Sequence, residues 1–334
     1  MVTRCYNPVD GIEINNIIND INNEQVSKII IFNELEWECK QLTPDFIQYL
    51  KDKNIDLKII FGSFSDEYYT DFANYLGIDY NSFIFWNTYW INWSEHCLKA
   101  SLDYRNHIVN TDFKYKLICL NNKNHIHRAA LIDNLAKYDL IETNIVTWHK
   151  FANAQHGYEF QYYDDSIRTI NDDFVTKLDS FLIPNQYHES FLHVVGEATI
   201  NAQIVSEKTI IPILLKKPFV SIAKAGFNKK LTELGFVLYD EIIDYSFDLE
   251  GDIASRADIL CNSINKIGSN YTELYNMLLP KIEHNYNRCL EIITDINYIP
   301  GVVIDRVKEL SNINIKRQFT DPRYERMVNE CKNI

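Results

Sequence analysis

Glycine is scarce in this chain, 10 of 334 residues, and that scarcity removes whole classes of nucleotide site. Neither GxGxxG nor GxxxxGK[ST] occurs, so there is no dinucleotide fingerprint and no backbone-built phosphate loop. A phosphate-bearing ligand would have to be held by side chains and a helix start. Seven cysteines stand at 5, 39, 97, 119, 261, 289 and 331, no two closer than 22 residues. Without a CxxC, neither a zinc knuckle nor a thioredoxin-type redox pair is expected. Long apolar runs are missing too: the tightest, Ile210–Leu215, is broken by Pro212, far short of the ~18 residues a membrane span needs. The opening MVTRCYNPVD has no apolar h-region, so no secretory signal is read there. No run of Lys or Arg breaks a formal net charge of −13. That balance disfavours a protein that holds nucleic acid by neutralising phosphates, while leaving room for a local basic groove. The expectation is a soluble protein of a reducing cytoplasm, the host's if the source is viral.

What is present is an ordinary globular composition, 46% hydrophobic and 24% charged, over a length that suggests two domains. The 45 Ile and 35 Asn also point to an AT-rich genome. From Ser27 the pattern alternates between two periods. Lys28–Asn33 and Leu57–Gly62 read as buried strands, and Ser82–Trp90 as an aromatic third. Thr43-Pro44 opens a helix by the N-cap and N1 rules, with Phe46, Ile47 and Leu50 as its stripe. A second helix starts at Ser65 and runs to Leu76. Strand, helix, strand, helix, strand is the grammar of parallel βαβ units.

The grammar restarts after Asp112. Tyr115–Leu120 reads as a strand, Asn121–His125 as a turn and Ile126–Tyr138 as a helix. Residues 150–185 read as a surface excursion, Phe191–Val195 as a strand and Ser206–Lys216 as a capped helix. Phe219–Ile222 then reads as a strand and Asn228–Leu234 as a helix stopped by Gly235. Beyond Ala254 the chain reads as helix through Ile293 and again after Val303. The expected organisation is an N-terminal α/β domain over 1–110, a second α/β domain over 111–300 and a helical tail over 301–334. Two Rossmann-type domains facing a cleft form the expected architecture.

Val195–Phe219 carries the chemistry. Glu197 follows a strand end, and Ser206-Glu207-Lys208 stands ten residues later at a helix start. Backbone N–H groups at 207–209 with Lys208 suit a phosphate, and a carboxylate suits ribose hydroxyls. By itself this trio reads more readily as a solvated cap with an adjacent charge pair. Its spacing, however, resembles the FENSxxxDYITEK motif of the α1,3-fucosyltransferases and related viral and phage proteins. There too, the two glutamates stand ten apart. The sequel is similar as well: an apolar helix, KKPFVSI, LTELGF, the acidic-aromatic DEIIDYSFD at Asp240–Asp248, and Arg256. Upstream, Asn121 and Arg128 match the Asn after the donor domain's first strand and the Arg seven residues on. The resemblance spans about residues 113–260. It departs at Ala198-Thr199, in place of Asn-Ser, and at Gln203-Ile204, in place of Asp-Tyr.

The resemblance implies a GT-B glycosyltransferase, inverting and metal-independent, transferring sugar from a GDP- or UDP-sugar to a hydroxyl-bearing acceptor. No cofactor or metal site is expected; the metal-binding DxD of the other glycosyltransferase fold has no counterpart, since no two aspartates stand at i and i+2. By carry-over Arg128 and Lys208 face the pyrophosphate, with Asn121 and Ser206 completing the donor site, and Glu197 and Glu207 contact the ribose or the transferred sugar. A general base belongs on the N-terminal domain. Glu34 and Glu36, just past the first strand read there, are the candidates, ahead of Asp66 and Glu67. His125 and His127 flank Arg128, and the Trp86, Tyr89, Trp90 and Trp93 cluster offers a stacking surface. Each of these also has an ordinary structural reading. Two alternatives stand beside the main one: glycosylation of hydroxymethylated bases in DNA, which the charge disfavours, and a binding module that kept the fold without chemistry.

Overall fold

A computed structural model describes residues 2–6, 14–33, 42–61, 67–85, 112–121, 125–148, 157–163 and 186–294. Contacts divide the chain into two compact units. One is Met1–Asn92 with Asn201–Ile204 and Ile292–Ile334; the other is Trp93–Ile200 with Val205–Glu291. Both are mixed α/β, each built on a parallel sheet.

In the first unit β1 (Val2–Tyr6), β2 (Val26–Asn33), β3 (Asp56–Phe61) and β4 (Phe83–Phe85) lie side by side in sequence order. Helices α1 (Ile14–Asn23), α2 (Pro44–Asp52) and α3 (Glu67–Leu76) make the crossovers. α2 begins as its sequence dictates: the Thr43 hydroxyl accepts the Phe46 N–H at 3.3 Å, with Pro44 in the first turn. Its Phe46, Ile47 and Leu50 join Ile29, Ile31, Ile59 and Phe61 of the sheet in one apolar core. Ala202 and Ile204 of the short Asn201–Ile204 segment are buried in the same core. Two elements here, β1 and α1, lie ahead of Ser27, where the alternating sequence pattern begins.

The second sheet has the order β6-β5-β7-β8, all parallel, from β5 (Tyr115–Asn121), β6 (Ile145–Trp148), β7 (Ser190–Gly196) and β8 (Phe219–Ile222). After β5 the chain first adds β6 on one side and then β7 on the other. β5 and β7 therefore flank a topological switch point, the place where ligands bind in open α/β sheets. Between the strands run α4 (Ile126–Lys137), the single turn α5 (Gln186–Glu189) and α6 (Glu207–Leu214). After β8 come α7 (Phe227–Glu233), a 3-10 turn at Tyr245–Leu249, α8 (Ile253–Asn265) and the 24-residue α9 (Tyr271–Thr294). Every residue of α4 from His127 to Leu135 is buried, so this helix is enclosed rather than one-sided. α6 stops at Leu214, two residues short of the expected end. Lys216 adopts φ 55° there, and the Lys217 N–H closes back onto the Pro212 carbonyl at 2.9 Å, a left-handed terminus of the Schellman kind.

Among the described residues no helix is long and apolar enough to cross a membrane. The expected junction at 111, the tail over 301–334, most of the 150–185 excursion and the tryptophan cluster lie outside the described residues. So do Glu34, Glu36 and Asp66; of Glu67 only the backbone is described.

Candidate functional site at the β5 and β7 strand ends

Four of the residues expected to form a ligand site, drawn from separate stretches of the sequence, meet at the switch point. Asn121 ends β5, Arg128 lies on the first turn of α4, Glu197 directly follows β7, and Ser206 caps α6; all four are buried. Arg128 donates from Nε to the Gly196 carbonyl at 3.1 Å and from Nη2 to the Glu197 carbonyl at 2.7 Å. His127 Nε2 lies 2.9 Å from that same Glu197 carbonyl. A carbonyl only accepts, so Nε2 carries the proton and Nδ1 is left as an acceptor. Burial first, then the adjacent Arg128 charge, pushes the imidazole down to about 3. Burial also holds the Arg128 guanidinium below its ordinary range, with Glu197 and Glu207 pulling the other way.

Gly196 is what lets these groups converge. A Cβ placed there would lie 2.7 Å from Asn121 Oδ1 and 2.8 Å from Arg128 Cγ. Asn121 also donates its N–H to Thr147 Oγ1 at 2.9 Å and its amide to Cys119 Sγ at 3.2 Å. Burial raises the Cys119 thiol to about 12, which makes it an inert partner.

Glu197 is fully buried, and its carboxylate is saturated. It accepts from the Ala198 N–H at 2.8 Å, the Ser206 N–H at 3.1 Å, Ser206 Oγ at 2.5 Å and Thr209 Oγ1 at 2.7 Å. Thr209 Oγ1 lies 3.0 Å from Ser221 Oγ on β8, which ties α6 to the sheet. Ser206 Oγ also accepts the Lys208 N–H at 3.3 Å, and the Thr209 N–H goes to the Ser206 carbonyl at 3.1 Å. The anion expected at this helix start is thus supplied by the chain itself. Lys208 pairs with its neighbour Glu207, both partly exposed.

A second layer continues from β8. Asn228 donates from Nδ2 to the Ser221 carbonyl at 2.9 Å and to Asp248 Oδ1 at 2.8 Å. The Asp248 carboxylate also takes the Asn228 and Lys229 N–H groups at 3.1 and 3.0 Å. Arg256, buried on α8, donates from Nε to the Phe247 carbonyl at 3.3 Å. Sequence reasoning set Arg256 and Asp248 only in a family-like order, and missed Thr209, Ser221 and Asn228. The available signal was a polar residue interrupting an apolar stretch, as in FVSI and EKTIIPIL.

The amino end of this sheet has a different character. Lys217 is buried, donates to the His188 carbonyl at 3.0 Å and sits 4.4 Å from the Phe113 ring centroid. Burial lowers it to about 7. His193, buried beside it with Nε2 3.0 Å from the Tyr187 carbonyl, is lowered to about 3, again by burial first. Among the described residues no three His, Cys, Asp or Glu side chains converge as metal ligands. Comparison with known protein families, with characterised proteins and with solved structures finds no match to this chain.

Proposed function

We propose that this chain is an inverting, metal-independent glycosyltransferase of GT-B type that moves a sugar from a nucleotide-sugar donor to a hydroxyl acceptor. The observation that carries the reading is the convergence of Asn121, Arg128, Glu197 and Ser206 at the β5/β7 switch point. The family-like motif named those residues across an 85-residue separation, and an open α/β sheet binds its ligand where they meet. The arrangement also refines their roles. With the carboxylate of Glu197 spent on Ala198, Ser206 and Thr209, Glu197 acts as a positioning residue that shapes the loop after β7. Arg128 locks the carbonyls of Gly196 and Glu197 and contributes its positive charge to a leaving diphosphate. Lys208 and Glu207, at the more exposed rim, are the pair available to exchange partners when ligand arrives. Glu34 and Glu36 remain the proposed general bases of the first unit.

The test is a thermal-shift panel of GDP, UDP, ADP and CMP with their sugar conjugates. A ligand that binds only the folded chain raises its melting temperature, by about 2.7 kcal/mol of stability at a hundredfold excess over Kd. One nucleotide and its sugar conjugate should shift the protein and the rest should not. If no member of the panel moves the transition, the nucleotide-sugar reading is wrong.

A further inference from the structure

Four polar atoms near the carboxyl ends of β5, β7 and β8 are buried with no hydrogen-bond partner among the described residues. They are Asn121 Oδ1, His127 Nδ1, Asn228 Oδ1 and Arg256 Nη2. Folded chains leave few such atoms, and each has a cause. Arg256 is the informative member because its charge is fixed. Its Nε donates to the Phe247 carbonyl, and burial holds the guanidinium below its ordinary range, with Asp248 and then Glu250 pulling the other way. The nearby Asp248 carboxylate is occupied by Asn228 and Lys229. The cations expected from the motif are already engaged: Arg128 holds two carbonyls and Lys208 holds Glu207. A buried guanidinium N–H with no acceptor is costly, and an oxyanion is a partner that removes the cost. The other three atoms are acceptors. One donor and three acceptors are a set that a bare inorganic ion does not match, whereas a ligand carrying both phosphate and hydroxyls does.

We propose that Arg256 binds a phosphate of the nucleotide at this site, with His127 Nδ1 and Asn228 Oδ1 accepting hydroxyl groups of the same ligand. The assignment rests on the nucleotide-sugar reading above and adds a phosphate ligand that is neither Arg128 nor Lys208. All four atoms are closed to solvent in the ligand-free chain, so the assignment requires the residues around them to move when ligand binds.

Calorimetric titration of the full chain with GDP and UDP, with the matching nucleosides and with inorganic pyrophosphate tests it, on wild type, Arg256→Gln and Arg256→Lys. The preferred nucleoside diphosphate should bind at least tenfold more weakly to Arg256→Gln, with nucleoside affinity unchanged. Arg256→Lys should fall between, and pyrophosphate alone should bind wild type at least tenfold more weakly than the nucleotide. If wild type binds no nucleotide, the underlying reading fails and this assignment with it. If the diphosphate binds wild type and Arg256→Gln equally, Arg256 alone is wrongly assigned. Should Arg256→Gln not fold, an unchanged affinity in Arg256→Lys overturns the assignment instead.

Discussion

A carboxylate at zero exposure persists only where its lone pairs all meet donors, and Glu197 meets that condition through Ala198, Ser206 and Thr209. Glu197→Gln turns one acceptor oxygen into an NH₂ facing donors. The expected cost is about 2–4 kcal/mol, read as a lower midpoint in urea unfolding; a midpoint within error of wild type would show that the carboxylate is not saturated. That Glu197 and the Ser206-Glu207 helix start face one crevice was legible, because the ten-residue spacing from Glu197 to Glu207 joins a strand end to a helix start; that Glu197 bonds Ser206 itself was not. Thr209 and Ser221 were not legible. Each is a single hydroxyl in an apolar stretch, and only the packing of α6 on β8 reveals that they lie 3.0 Å apart. Saturation itself is invisible in a sequence, which is why Glu197 read as a ligand contact.

At the scale of elements, the end of α4 carries a correctable flaw. Asp139 follows the helix with φ 53° and is exposed. It sets a negative charge at the carboxyl end of a helix dipole, in a backbone region that favours glycine. Asp139→Gly should therefore raise stability by about 0.5–1 kcal/mol, seen as an upward shift in melting temperature; a fall would mean Asp139 makes a compensating contact. Helices with strong caps were readable in advance, as Thr43-Pro44 and Ser206 show. α1 was overlooked for a physical reason. Ile14, Ile17, Ile18 and Ile21 have helical spacing, and Ile17 and Ile21 are buried, but the asparagines between them are poor helix formers that suggest turns. β6 has four residues, too few for a period to show.

Across the whole molecule, buried bases set the response to pH. His127 and His193 sit at about 3 against an ordinary 6.5, so the unfolded chain takes up protons that the folded chain refuses. Their contribution to stability is full above pH 6.5. It declines as pH falls towards 3, by about 1.4 kcal/mol per pH unit for each imidazole. Lys217, lowered from 10.5 to about 7, acts in the same sense higher up: the folded state favours the neutral amine, so stability rises between pH 7 and 10.5. Above pH 10 the buried Tyr239 and Tyr245, raised by burial, reverse the trend. Melting temperature should thus climb from pH 5 to pH 9, and Lys217→Met should flatten the upper part of that climb. A flat profile in wild type would mean these groups are solvated.

The Asn201–Ile204 segment has a consequence for how the polypeptide can be divided. It belongs to the first unit, yet the residues on either side, Glu197 and Ser206, are bonded to each other in the second. The loop works as a stitch whose knot lies in one unit and whose thread runs through the other. The halves are therefore not interchangeable cassettes. A fragment spanning 111–300 carries Ala202 and Ile204 away from the core that buries them, and a fragment ending at 110 leaves that core two side chains short. Exchange of the second sheet between chains of this design has to move the stitch along with it.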